Sequence, residues 1–214
     1  MEIILSHLGF SYGGRPVIED MSYTFATGIR YGISGASGSG KTTLLRLIAG
    51  LEVPARGSIR AGGKIMSEAG RILVPPHLRR TGFVFQDLAL FPHMTVYQNI
   101  AFGLQEQKHA DVPQRVSGIL KDTGLESLAD KYPHQLSGGQ QQLVAIARSL
   151  VLEPGVLLMD EPMANLDREN RERIFGILFE LHRRTGFTLL YVSHDGSDLN
   201  RMEQVLEWER MTKG

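Results

Sequence analysis

The sequence contains no cysteine among its 214 residues. Disulfide bonds, thiolate catalysis and cysteine-ligated zinc sites are therefore excluded. It also has no excess of either charge, because 23 Lys and Arg residues balance 23 Asp and Glu residues, so it shows no electrostatic footprint for a nucleic acid. No apolar run approaches the roughly 18 residues of a membrane span, and the opening MEIILSHLGFSYGG is too polar for a signal peptide. We expect a cytoplasmic protein that does not itself cross a membrane.

What the sequence does contain is typical of one α/β domain. Hydrophobic residues make up 42% and charged residues 21%. Strand and helix patterns alternate, which favours a largely parallel sheet. We expect strands over residues 3–10, 21–27, 28–34, 81–86, 156–160, 187–193 and 205–211, helices over 42–51 and 168–184, short strands over 57–73, and a mostly helical segment over 94–152. The basic stretches HLRR (77–80) and HRR (182–184) are expected on solvated faces.

A glycine-rich stretch between a predicted strand and a predicted helix carries the clearest chemistry. GASGSGKT, residues 35–42, matches the phosphate-loop pattern G-x-x-x-x-G-K-[ST] in full. Glycines let successive backbone N–H groups point at phosphate oxygens, and the helix start adds a positive dipole. We expect Lys41 to contact the β- and γ-phosphates and the Thr42 hydroxyl to coordinate Mg²⁺. A loop kept only for tight packing is the alternative, and the intact motif disfavours it.

Polar residues end several of the predicted strands. Asp160 ends VLLMD and Glu161 follows it, and neighbouring side chains in a strand point to opposite faces, so the two acids can take different roles. Asp160 suits the Mg²⁺ shell through water, and Glu161 suits polarising an attacking water. Gln86 and His194 also end predicted strands, where parallel sheets gather ligands. The alternative for each is a structural polar residue at a sheet edge.

Taken together, these residues resemble the ABC ATPase family over nearly the whole chain. GASGSGKT resembles its Walker A motif, Gln86 its Q-loop glutamine, and LSGGQ (136–140) its signature. VLLMDE resembles Walker B with the catalytic glutamate, SHD carries the switch histidine His194, and MANLD (163–167) resembles the D-loop. The stretch PPHLRRTGFVFQDLALFPHMTVYQNIAFGL is similar to bacterial importer ATPases of the molybdate, ferric-ion, thiamine, spermidine and sugar group.

The resemblance implies ATP and Mg²⁺ as cofactors and assigns roles to individual residues. It implies Glu161 and His194 as catalytic, Thr42, Gln86 and (via water) Asp160 as metal-binding, and Asp167 as the D-loop acid. The implied ATP contacts are Tyr12, Gly35, Ala36, Ser37, Gly38, Ser39, Gly40, Lys41, Thr42, Thr43 and Gln86. The implied contacts to the ATP of a partner subunit are Ser137, Gly138, Gly139 and Gln140. This second glycine stretch begins a helix but has no lysine after it, which suits a lid on a γ-phosphate.

The implied fold is a P-loop NTPase of the ABC type: a mainly parallel core, an antiparallel β subdomain and an inserted helical subdomain. We expect one domain over 1–214, with the ATP-binding core in 1–93 and 154–214 and the helical subdomain in about 94–153. The implied partners are a second ATPase subunit, identical or paired, membrane permease subunits docking near the Gln86 loop, and indirectly a solute-binding protein. The chain would then be peripheral on the inner face of the cell membrane.

Other functions remain alternatives. An exporter ATPase is the nearer alternative. Non-transport ABC ATPases of chromosomes and repair carry long coiled coils, and no sustained heptad repeat appears here; ribosomal relatives usually hold two ATPase units in one chain, and this chain has one. A small-molecule kinase would leave LSGGQ unexplained. Three positions depart from the family pattern. Leu143 stands where arginine is common, Asn165 stands where a small residue is common, and DGSDLNRME, which follows His194, lacks the usual acidic-alanine helix start. Many relatives carry a C-terminal regulatory domain, and because this sequence ends at Gly214 we expect either that the protein has none or that the sequence is truncated.

Overall fold

A computed structural model describes residues 1–108, 110–164 and 166–211. The chain divides into two compact units. The first contains residues 1–83, 155–161 and the described residues from Gly186 on, and the second contains residues 84–154 and 162–185. The second unit thus includes a helix, residues 168–185, that the sequence placed in the ATP-binding core. The division into 1–93 with 154–214 and 94–153 stays a prediction.

Ten strands and seven α-helices are present in the described part of the chain. The strands are β1 (Ile3–Tyr12), β2 (Arg15–Phe25), β3 (Arg30–Ser34), β4 (Arg56–Ala61), β5 (Lys64–Glu68), β6 (Arg71–Ile72), β7 (Thr81–Val84), β8 (Val156–Asp160), β9 (Thr188–Val192) and β10 (Gln204–Glu207). The helices are α1 (Lys41–Ala49), α2 (Val96–Glu106), α3 (Val112–Thr123), α4 (Gly138–Leu150), α5 (Arg168–Thr185), α6 (Gly196–Leu199) and α7 (Trp208–Met211). Three single 3₁₀ turns lie at residues 76–78, 126–128 and 133–135.

The first unit contains a sheet with strand order β10-β3-β9-β8-β7. The β10–β3, β3–β9 and β8–β9 pairs are parallel. Every residue of β8 and β9 is buried, as expected for central strands covered on both faces. Parallel pairing brings the carboxyl ends of β3, β8 and β9 to one edge of this sheet, which is where the predicted site residues lie.

A second sheet in the same unit is antiparallel, with strand order β2-β1-β4-β5-β6. It confirms the short strands predicted over residues 57–73. Its apolar residues, including Ile3, Leu5 and Ile59, share one buried cluster with Ile33 of β3 and Leu44 of α1. The antiparallel sheet therefore packs against the strand and helix that flank the phosphate loop.

The second unit is built from helices, as the sequence predicts for residues 94–152. Helix α2 contacts α3 and α4, and α5 contacts α3 and α4. A capping box begins α2, where the Thr95 hydroxyl accepts from the Gln98 N–H at 3.2 Å and the Gln98 side chain accepts from the Thr95 N–H at 2.9 Å. Leu143, at the position where arginine is common in the family, is 1% exposed in α4. The apolar residue therefore fills a core position.

Four expectations were wrong in detail. β7 ends at Val84, so Gln86 follows the strand in a turn. The strand predicted over 205–211 ends at Glu207, and α7 follows it. Arg79 and His182, expected on solvated faces, are 1% and 8% exposed. Charge runs predict exposure only on average, and Arg79 finds five hydrogen-bond contacts inside the unit.

Candidate functional site

The phosphate loop joins β3 to α1 in the first unit. Gly35 and Gly40 have φ angles of 148° and 115°, a region that side chains disfavour. A Cβ at Gly35 would lie 2.7 Å from the Trp208 Cβ, and one at Gly40 would lie 2.7 Å from Val17 and 2.8 Å from Trp208. Glycine is therefore required at both positions by conformation and by close packing from behind the loop.

Lys41 is the first residue of α1 and is 6% exposed. Its ammonium donates to the carbonyls of Gly35 at 2.8 Å and Ala36 at 2.7 Å, and lies 3.4 Å from the Ser39 hydroxyl. The chain between them turns tightly, with the Ser39 N–H bonded to the Ala36 carbonyl. The lysine charge is thus held at the mouth of the loop, where phosphate oxygens are predicted to bind.

The Thr42 hydroxyl donates to Asp160 Oδ1 at 3.0 Å, which links the start of α1 to the end of β8. Burial raises the pKa of Asp160, and the hydrogen bond from Thr42 opposes that shift. No group of three or more His, Asp or Glu side chains among the described residues forms a metal site by itself. One hydroxyl and one carboxylate fit Mg²⁺, which completes its shell with substrate phosphates and water.

Glu161 lies directly after β8 with a φ of 47°. Its N–H donates to the Val192 carbonyl of β9, and its Oε2 lies 2.8 Å from His194 Nδ1. The hydrogen bond that His194 donates to the Glu161 carboxylate, reinforced by the charge of that carboxylate, raises the pKa of His194 above its ordinary 6.5. The left-handed turn, and not the pleat of the strand, separates Glu161 from Asp160. Two acids with different neighbours therefore lie at one strand end.

Tyr12, the predicted adenine contact, ends β1 and is 45% exposed. Its ring packs edge-on against Phe10, with centroids 4.7 Å apart, and its hydroxyl donates to Glu52 at 3.0 Å. These contacts fix the ring while leaving much of it accessible for stacking. Thr43, the last predicted loop contact, is 7% exposed in α1.

The signature stretch begins α4 in the second unit. The Ser137 hydroxyl accepts from the Gln140 N–H at 3.4 Å, and the Gln140 side chain accepts from the Ser137 N–H at 2.9 Å. A Cβ at Gly139 would lie 2.7 Å from Asn170 Oδ1, whereas one at Gly138 would meet nothing nearer than 3.9 Å. Asn170 in turn donates its N–H and its amide to Asp167, and these bonds lower the pKa of Asp167. The D-loop acid and a signature glycine are therefore linked through Asn170. Asn165 lies outside the described residues.

The predicted residues fall into two sets. Lys41, Thr42, Asp160, Glu161 and His194 lie together in the first unit, whereas Gln86, exposed in a turn, and the signature lie in the second. Sequence reasoning missed Trp208 and Asn170. A lone tryptophan belongs to no motif, and the contact between Asn170 and Gly139 exists only in the folded chain.

The chain is similar to known proteins over most of its length. Residues 18–164 match the family model described as ABC transporter. A dimeric ATP-binding cassette, MJ0796, solved in a post-hydrolysis state bound to ADP and Pi, superposes with a TM-score of 0.84 at 30% identity, covering 96% of this chain and 93% of that one. The chain therefore belongs to the ABC transporter family, and its fold is that of an ABC ATPase.

Several curated relatives of the chain are named as ATP-binding proteins of import or transport systems. The chain is 41% identical over 89% of its length to the glucose import ATP-binding protein GlcV of Saccharolobus solfataricus, and 44% identical over 92% to the putrescine transport ATP-binding protein PotG of Escherichia coli. It is 44% identical over 90% to the Fe(3+) ions import ATP-binding protein FbpC of Agrobacterium fabrum. The alignments cover 54%, 52% and 54% of those proteins, so the chain spans about half the length of these relatives. Among the described residues, no helix combines the length and the apolar character needed to cross a membrane.

Proposed function

We propose that this chain is the ATP-hydrolysing subunit of an ABC importer. The observation that carries the proposal is the Glu161–His194 pair, 2.8 Å apart, in the unit that also holds the Thr42–Asp160 pair and the phosphate loop. A nucleotide-binding switch needs the loop and a metal site, and the additional carboxylate supplies the proton acceptor that hydrolysis requires. The relatives are named as import or transport proteins, which supports import over export.

The loop residues and Lys41 would hold the triphosphate. When ATP enters, the Lys41 ammonium transfers part of its hydrogen bonding from the Gly35 and Ala36 carbonyls to phosphate oxygens. Thr42 and Asp160 would hold Mg²⁺, which neutralises charge on the phosphates when bound. A contact of Gln86 with the metal stays a prediction from the sequence. Tyr12 would stack on the adenine.

Glu161 would act as the general base. His194 occupies its Oε2, which fixes the carboxylate and leaves Oε1 to accept a proton from the attacking water. Because its pKa is raised, His194 is more often protonated than a free histidine and can donate to the γ-phosphate. Most of the catalysis comes from this positioning and from charge stabilisation.

The signature would complete the site of a second subunit. Its helix start offers N–H groups and a positive dipole, but no lysine follows its glycines, so it suits a lid on a nucleotide cradled elsewhere. The similar MJ0796 structure is dimeric. We infer that two ATPase subunits, identical or paired, close on two ATP molecules and reopen after hydrolysis.

The membrane partners would meet the second unit. Permease subunits would dock near the Gln86 loop on the inner face of the membrane, and a solute-binding protein would act through the permease. Leu90, Phe91 and Met94 are half-buried there, so each can both pack and contact a partner. The transported solute would be chosen by those other proteins.

Glu161→Gln tests the proposal. The variant should bind ATP, remain as a closed dimer on gel filtration and lose about 10²- to 10⁴-fold in hydrolysis rate. Glu126→Gln, at an exposed position of the second unit, is the matched control and should behave as the parent. Near-parental turnover by Glu161→Gln would contradict its role as the base, and an ATP-bound variant that stays monomeric at high concentration would contradict the paired site.

Lys41→Ala tests the cradle separately. Loss of the ammonium should weaken ATP binding by at least about tenfold in equilibrium dialysis, because a charge-assisted contact to phosphate is lost. An unchanged affinity would contradict the assignment of GASGSGKT as the phosphate site.

A further inference from the structure

The loop of residues 87–94, which follows Gln86, has a constrained backbone. Leu88 and Ala89 have φ angles of 60° and 45°. Side chains make this left-handed region unfavourable, and two such residues in succession are rare outside glycine. The loop therefore needs contacts that hold it in this conformation.

Arg148, in the last turn of α4, supplies contacts at these two residues. Its Nη1 donates to the Ala89 carbonyl at 2.6 Å and its Nη2 to the Leu88 carbonyl at 2.7 Å. The guanidinium also lies over the Phe91 ring, 5.6 Å from the centroid. A planar fork can serve two neighbouring carbonyls at once, which a lysine ammonium cannot match in geometry.

A second side chain anchors the other half of the loop. Asn99 of α2 is fully buried. Its Oδ1 accepts from the Phe91 N–H, and its Nδ2 lies 3.0–3.1 Å from the Phe91, Met94 and Thr95 carbonyl oxygens, which share its two hydrogens. Asn99 thus holds residues 91–94. Residues 88 and 89 are held by the two Arg148 contacts and by the Leu88 N–H, which donates to the Phe85 carbonyl at 3.0 Å.

Arg148 also belongs to the helix whose first turn is the signature. Ser137 caps the start of α4, and Arg148 projects from its end to the loop. We infer that Arg148 is a positioning residue that keeps loop 87–94 in its left-handed form and joins it mechanically to the signature helix. The coupling part of this inference rests on the proposed function, because it takes the loop as the contact for a permease.

Hydrogen–deuterium exchange on the isolated chain tests the positioning role. Arg148→Met should speed exchange of amides in the 87–94 peptide at least about fivefold, while peptides from α2 keep their rates. Arg148→Lys should fall between the variant and the parent. Arg183→Met removes an exposed guanidinium in the same unit and should change nothing in the loop. Parental exchange in Arg148→Met would overturn the inference.

A glycine replacement separates positioning from general packing. Ala89→Gly removes the left-handed penalty at that residue, so it should recover about fivefold of the exchange protection lost in Arg148→Met. If Arg148 served only to pack α4, the glycine would give no recovery, and that result would also overturn the inference.

The coupled readout uses the complex of this chain with the permease that co-purifies with it. Arg148→Met should keep the ATPase rate of the isolated chain and lose most of the permease-dependent stimulation, with partial recovery in the Ala89→Gly double variant. Full stimulation in Arg148→Met would overturn the coupling role. A parent chain that gains no stimulation would count against the proposed function instead, and the exchange results would still decide the role of Arg148.

Discussion

Replacing Arg79 by methionine should destabilise the first unit by about 3 kcal/mol. Arg79 is 1% exposed, and its hydrogen-bond acceptors among the described residues are neutral oxygens. The guanidinium makes five hydrogen bonds of 2.6–3.2 Å, to the Leu47, Ile48, Met66 and Val74 carbonyls and the Ser67 hydroxyl. Two of these carbonyls end α1, where the helix dipole favours a cation. The side chain thus fastens β5 and the following loop to the helix that carries the phosphate loop.

The size of this loss of stability depends on which oxygen acceptors are left without a hydrogen-bond donor. Leu47 O also accepts from Gly50 N–H, and Met66 O from main-chain N–H groups, so methionine leaves both partnered. Ile48, Val74 and Ser67 each lose the guanidinium, at a cost of about 2 kcal/mol apiece. Burial lowers the pKa of Arg79 to about 10, so removing the charge returns about 3 kcal/mol of desolvation. A net loss of about 3 kcal/mol remains.

Urea denaturation followed by Trp208 fluorescence measures this loss. Trp208 is the single tryptophan, is 4% exposed and belongs to the core of the same unit. Arg79→Met should lower the midpoint without changing the slope, and Arg79→Lys should lose less because it keeps a charge and some donors. The exposed neighbour gives the control, since Arg80→Met should cost under about 0.5 kcal/mol. A loss below about 1 kcal/mol in Arg79→Met would show that the lost hydrogen bonds do not outweigh the desolvation of the charge.

Two further predictions concern the site. Glu161→Gln should return the pKa of His194 towards its ordinary value, seen in NMR titration of the imidazole Cε1–H. An unmoved titration in Glu161→Gln would contradict the pairing. Because the pKa of His194 is raised in the folded parent, the stabilisation from this pair is complete below the pKa of the unfolded state and disappears as the pH rises through the pKa of the folded state. Gly139→Ala should lower the free energy of unfolding by about 1–2 kcal/mol through its clash with Asn170, while Gly138→Ala should be near neutral. In the Asn170→Ala background Gly139→Ala should cost less, because the two nearest atoms, Asn170 Oδ1 at 2.7 Å and Cγ at 2.9 Å, are gone. Thermal denaturation of the two single variants and of the double variant measures this.

Much of the fold could be predicted because its signals are local. β8 is a continuous apolar run and was predicted to the residue, and LSGGQ begins a helix, as the sequence predicts. The loop motif likewise places Lys41 and Thr42 by spacing alone. Motifs of this kind carry their geometry within a few residues.

Other features depend on contacts between distant segments. The sequence around Arg79 is a plain basic run, and only the arrival of α1 and β5 converts it into a buried anchor. The left-handed backbone at Leu88 and Ala89 has no glycine to signal it. Arg148, some 60 residues later, explains it. Such features need the folded chain.

The strand order of the parallel sheet sets when a nucleotide can first be bound during synthesis. β3 precedes the phosphate loop, yet its two neighbours, β9 and β10, come from the last part of the chain. Trp208, which packs behind Gly35 and Gly40, is made later still. The loop therefore emerges from the ribosome before the strands that support it. If the loop binds ATP as proposed, a nascent chain should hold the nucleotide firmly only after β9, β10 and Trp208 have been made.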